Sequence, residues 1–118
     1  MRNTIVCCLF VVAVLWTTNA SAASFDCSKA QAADELAVCK NADLSALDSE
    51  MGGLWYAYDL LPMLMGSSGA RRDDAQQFLH DRASCADEVA CLRKVYVARN
   101  AALRNDIKAA IQSLPANP

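Results

Sequence analysis

The sequence predicts an all-α fold, a small bundle of about four helices stapled as hairpins by disulfides. Three observations carry this. Apolar residues recur at spacings of three and four over long stretches, as an amphipathic helix requires. Beyond the first 22 residues β-branched residues are few, and no alternating apolar–polar run reaches five. Four cysteines there, Cys27, Cys39, Cys85 and Cys91, fall into two close pairs beside helical stretches.

The first residues belong to a different grammar. Met1-Arg2-Asn3 is a short basic head, residues 5–16 are almost wholly apolar, and Ala20-Ser21-Ala22 follows among small residues. That pattern reads as a signal peptide over 1–22, removed on export. About a dozen apolar residues fall short of the roughly 20 needed to span a bilayer, so stable membrane insertion after processing is not expected. Cys7 and Cys8 leave with the leader. Residues 23–118 then form a single domain, periplasmic or secreted, in which an even number of cysteines reads as a disulfide framework.

Four cysteines allow three pairings, and sequence alone does not choose among them. Local pairing, Cys27 with Cys39 and Cys85 with Cys91, is the expectation. It constrains the backbone. A continuous helix would hold residues 85 and 91 about 9 Å apart and residues 27 and 39 about 18 Å apart, whereas a disulfide tolerates about 7 Å between Cα atoms. The chain must therefore turn inside each pair.

The elements follow in order. Ser28-Lys29-Ala30-Gln31 has the form of a capping box, but an early helix start conflicts with local pairing. Residues 26–31 are accordingly expected to fold back along a short helix over 33–40, with Glu35 in its first turn. Asn41-Ala42-Asp43 caps a second helix running to about Leu61, with Leu44, Leu47, Met51, Leu54, Tyr58 and Leu61 on one stripe. Gly52-Gly53 interrupts it and marks a kink or a close crossing; Pro62 ends it. Met63-Leu64-Met65 is an apolar tail, and Gly66-Ser67-Ser68-Gly69 a flexible connector. A third helix, about 70–84, buries Ala75, Phe78 and Leu79. Asp87 is the expected N-cap of a fourth helix from about Glu88, which presents Leu92, Val95, Tyr96, Ala102, Leu103, Ile107, Ala110, Ile111 and Leu114 before Pro115 stops it.

Charge is divided unevenly. Residues 23–65 hold two basic and seven acidic residues, net −5, while residues 66–118 hold eight and six, net +2. No basic stripe with interleaved aromatics exists, so nucleic acid is not an expected partner. His80 is the single histidine, with no serine or cysteine set beside it by any motif. Neither cysteine spacing suits zinc, and Asp73-Asp74 and Asp87-Glu88 read as helix-terminal charge rather than a calcium loop. No catalytic residue, metal site or cofactor is expected, and the chain reads as a non-enzyme.

The succession Phe25-Asp26-Cys27, Glu35 to Cys39, Leu44-Ser45-Ala46-Leu47-Asp48-Ser49-Glu50, then Gln77-Phe78-Leu79, Arg82, Cys85, Cys91-Leu92, Tyr96, Arg99 and Leu103 resembles the LprI-type lysozyme inhibitor family. The resemblance covers residues 25–103. Phe78 stands where that family usually has Trp, and Gly52-Gly53 interrupts a helix normally free of glycine. The motif positions read as structural. The resemblance implies inhibition of lysozyme, or of another peptidoglycan-degrading enzyme, by occluding the cleft in which paired carboxylates cleave glycan. On that reading the acidic first half meets a basic enzyme. Asp43, Asp48 and Glu50 steer as rim carboxylates, and an exposed aromatic from Trp55-Tyr56 anchors. A competing surface is the 66–87 connector and turn. Other classes remain open: an immunity protein against a cell-wall-degrading effector, or a structural envelope protein. The oligomeric state is left open.

Overall fold

The computed structural model describes residues 23–62 and 67–115. The expected signal peptide and the apolar tail at 63–65 lie outside the described residues. The domain is all-α: a single 3-10 turn at Cys27–Lys29, then α1 (Ala33–Lys40), α2 (Ala42–Asp59), α3 (Ser67–Ser84) and α4 (Val89–Ser113).

Both bridges are local, Cys27–Cys39 and Cys85–Cys91, with Cα–Cα distances of 5.8 and 5.5 Å. The first folds the 26–31 segment back along α1. Asp26 caps the 3-10 turn by accepting from the Ser28 amide and hydroxyl, the bonds that hold its carboxyl below the ordinary range. Glu35 reaches back to accept from the Gln31 and Ala32 amides, satisfying two donors at the start of α1. Asn41 caps α2 through the Leu44 amide at 3.1 Å.

Three boundaries differ from expectation. α2 stops at Asp59, where buried Arg71 donates to the Tyr58 and Leu61 carbonyls at 2.8 and 3.0 Å and lies over the Tyr58 ring. Pro62 disfavours helical geometry at the residue before it. α3 begins at Ser67, so Ser67, Ser68 and Gly69 are helix rather than connector. The turn at 85–87 is where it was expected, but the N-cap of α4 is Glu88, not Asp87. Ala86 takes left-handed backbone (φ 49°) to close that turn, and the Glu88 amide donates to the Cys85 carbonyl.

α4 is the central element, with α2 along one flank and α3 along another. Cross-contacts set the directions. Asp43 meets Arg93, Asp48 meets Tyr96, and Glu50 meets Asn100 and Arg104, so α2 and α4 run parallel. Phe78 meets Tyr96 and Asp74 meets Arg99, so α3 and α4 are an antiparallel hairpin. The core joins Val38, Leu44, Phe78, Cys85, Leu92 and Tyr96, with Phe25, Leu47, Met51 and Val95 packed against it. Leu103 is also fully buried, whereas Leu79, Ile111 and Leu114 are exposed, against expectation. Ile111 lies in the last turn of α4 and Leu114 is its C-cap.

Gly52 marks a close approach. A Cβ there would stand 2.8 Å from the Ser24 Cβ, so the N-terminal segment crosses α2 where only glycine fits; Gly53 faces open space. The two neighbours should therefore respond oppositely to alanine. Gly53→Ala is expected to stabilise by about 1 kcal/mol through helix propensity. Gly52→Ala is expected to cost about 1–2 kcal/mol net, because overpacking outweighs the same propensity gain. Denaturant midpoints of the two variants check this. A gain at both positions would mean that the N-terminal segment is not seated on α2.

Candidate functional site

Charged residues occupy the core as well as the surface. Asp34, Asp48, Arg71, Arg82 and Arg99 are all at least nine-tenths buried. On α2, Asp48 is one helical turn from Leu44 and falls on the buried side. On α3, Arg82 is one turn from Phe78. On α4, Arg99 is three residues from Tyr96. Each sits where the apolar stripe would place a core side chain, and a buried ion needs a partner.

The partners form a chain through the domain. The Asp34 carboxylate of α1 accepts from Arg82 Nε at 2.6 Å, and Arg82 Nη1 reaches the Tyr96 hydroxyl at 3.5 Å. Tyr96 donates to Asp48 Oδ1 at 2.8 Å. Asp48 Oδ2 accepts from both the amide and the hydroxyl of Ser24 at 2.6 Å. All four helices and the N-terminal segment are thus linked by one run of bonds. A second cation, Arg99, pairs with Asp74 and lies against the Trp55 and Phe78 rings, 5.7 and 5.5 Å from their centroids.

Burial pushes the Tyr96 phenol well above its ordinary value, and the Asp48 carboxylate adds to the shift. Burial opposes the charge on Arg82, but Tyr96 and Asp34 outweigh it and its value is raised. The Tyr96 shift predicts an alkaline instability. Above about pH 10 the unfolded chain releases its phenolic proton while the folded chain keeps it. The unfolded state then binds fewer protons, so stability falls as pH rises. Alkaline titration by phenolate absorbance should show Tyr96 ionising only as the helical signal is lost; a third tyrosine ionising reversibly in the folded protein would contradict the buried contact.

The residues expected to meet a partner do not share one surface. Asp48 is fully buried and cannot act as a rim carboxylate; its bonds to Ser24 and Tyr96 explain why it lies inside. Asp43 is exposed but pairs with Arg93 at 3.1 Å. Glu50 is half-buried, accepts from Asn100 Nδ2 and pairs with Arg104. Trp55 is half-buried under Arg99, edge-on to Tyr58. Tyr56 is 67% exposed. At 3.6 residues per turn it lies roughly 120–140° round the helix from Asp43 and Glu50.

A different set shares the Tyr56 face. Ser49, Gly53 and Leu60 fall on the same side of α2 and are exposed, Leu60 by 65%. Asp59, 68% exposed at its side chain and 3.9 Å from Arg71, borders them. Leu60 and Asp59 are not among the residues the sequence singles out, although both stand off the apolar stripe. Elsewhere, His80 is exposed on α3, 3.8 Å from Asp81. Among the described residues no three His, Cys, Asp or Glu side chains gather as a metal site, and no helix is long and apolar enough to cross a membrane. The chain matches no protein-family model, no curated protein and no solved structure.

Proposed function

We propose that this chain is an exported inhibitor of lysozyme or of a related peptidoglycan-degrading enzyme, acting by protein–protein contact at the enzyme's cleft. The observation that supports this reading is the exposed pair Tyr56 and Leu60, one turn apart at the C-terminal end of α2, with Asp59 beside them. An aromatic held on a rigid element loses little freedom on binding and can fill a pocket as an anchor. The two bridges and the buried ion pairs supply that rigidity, and disulfides suit an oxidising compartment. The net negative first half would favour encounter with a basic enzyme. Asp43, Glu50 and Asp59 contribute less to that field than their number suggests, because Arg93, Arg104 and Arg71 pair with them.

The test is residual muramidase activity against rising concentrations of the oxidised protein. A 1:1 loss of activity is expected, and Tyr56→Ala should weaken it by about 2 kcal/mol, roughly 30-fold. Undiminished muramidase activity at large excess sinks the inhibitor reading. Full inhibition by Tyr56→Ala keeps the activity but removes this face of α2 from the interface.

A further inference from the structure

Asp48 is wholly buried, and the three groups that donate to it are neutral: the amide and hydroxyl of Ser24 and the phenol of Tyr96. Among the described residues no lysine, arginine or histidine is ion-paired with it. Arg82, the cation next along the run of bonds, is held by Asp34 at 2.6 Å and lies 3.9 Å from Glu35. Asp34 and Arg82 therefore match one another, and Asp48 is left without a counter-ion of its own among the described residues. A carboxylate taken out of water without a counter-ion is heavily disfavoured.

The place where a counter-ion would enter is the N-terminal segment. Ser24 is bound to Asp48 through its backbone nitrogen, and Ala23, half-buried, packs against the apolar core. Immediately upstream stands Ala20-Ser21-Ala22, the cleavage pattern of the leader. Hydrolysis of the Ala22–Ala23 peptide bond adds water across it. Hydroxide goes to the Ala22 carbonyl carbon, and the Ala23 nitrogen leaves as an amine that is protonated at neutral pH. The resulting ammonium stands one residue, about 3.8 Å of chain, from the amide nitrogen that Asp48 already holds at 2.6 Å. Gly52 is the independent sign that this seat is built, since a side chain there would displace Ser24 from the carboxylate.

We propose that Asp48 is a receptor for the amino terminus created by leader cleavage. The Ala23 ammonium pairs with the Asp48 carboxylate and supplies the counter-ion that Asp48 lacks. In the uncleaved chain a neutral amide occupies that position, so the precursor lacks the counter-ion and the processed protein gains it. The inference rests on cleavage after Ala22 and is independent of the inhibitor reading.

The experiment uses protein exported from the full-length chain. Intact mass should begin at Ala23; a different first residue overturns the proposal. The α-amine is then selectively acetylated, which removes its charge and adds only a small group. Acetylation should lower the unfolding midpoint by at least about 5 °C, and by much less in an Asp48→Asn background, where no carboxylate awaits the ammonium. An equal drop in both backgrounds, or none in the parent, overturns the pairing. Should Asp48→Asn not fold, the acylation rate of the parent α-amine decides. Protection of about tenfold or more relative to an Ala-Ser-Phe peptide supports the pair, and reaction at the peptide's rate refutes it.

Discussion

Arg82→Met is expected to be the most damaging single substitution, costing about 3–5 kcal/mol. The length of the new side chain preserves packing, so the loss is electrostatic. Asp34 would remain 3% exposed with its closest cation gone, and the Tyr96 hydroxyl would lose a neighbour at 3.5 Å. Total stabilities of small domains are about 5–15 kcal/mol, so the variant should be partly unfolded near physiological temperature. The companion Asp34→Leu/Arg82→Met is expected to recover much of the loss, because removing both ions leaves neither stranded. Urea unfolding of the single and double variants completes a double-mutant cycle. A single-variant cost below about 1 kcal/mol would mean that water reaches the pair.

Removal of the bridges should rank second. In the chain-entropy account, a separation of 12 residues for Cys27–Cys39 and 6 for Cys85–Cys91 gives about 2.8 and 2.2 kcal/mol respectively. Cys27→Ser should free the segment that includes Phe25, whose ring lies 5.6 Å from the Arg82 guanidinium. Cys85→Ser and Cys91→Ser should loosen the α3–α4 hairpin, although its Phe78–Tyr96 and Asp74–Arg99 contacts remain. Thermal unfolding of the oxidised parent, each single-bridge variant and the reduced protein measures these costs. Equal midpoints in oxidised and reduced protein would show that the bridges contribute nothing.

Much of this architecture is legible in the sequence. Local pairing forced a turn between Cys85 and Cys91, and that turn delimits α3 and α4. The same geometry placed α1 over 33–40, the span it occupies. The stripe from Leu44 to Tyr58 identified α2 and its buried side. What escaped was the chemistry of the core. The charge of Asp48 suggests a rim carboxylate, although its position one turn from Leu44 puts it on the inward face. Arg82, Arg99 and Asp34 follow the same rule. Periodicity reports which face a residue occupies, whereas charge reports only what that face must supply. Tyr56 and Leu60 are the opposite case: both are apolar in character but stand off the stripe, and only the fold shows that both stay exposed among the described residues.

The run from Asp34 to Ser24 also fixes alignment. Two helices packed through aliphatic ridges present similar surfaces at each turn, so a slip of about 5.4 Å is only weakly resisted by greasy contacts. Slipping α2 along α4 by one turn would carry Asp48 away from Tyr96, strand Asn100 Nδ2 from the Leu47 carbonyl, and pull Glu50 off Arg104. The first two misalignments would leave a buried polar group dry and unmatched, and the third would break a half-exposed ion pair. The buried ions therefore act as a vernier: they make one relative position of two otherwise smooth helices distinct from its neighbours.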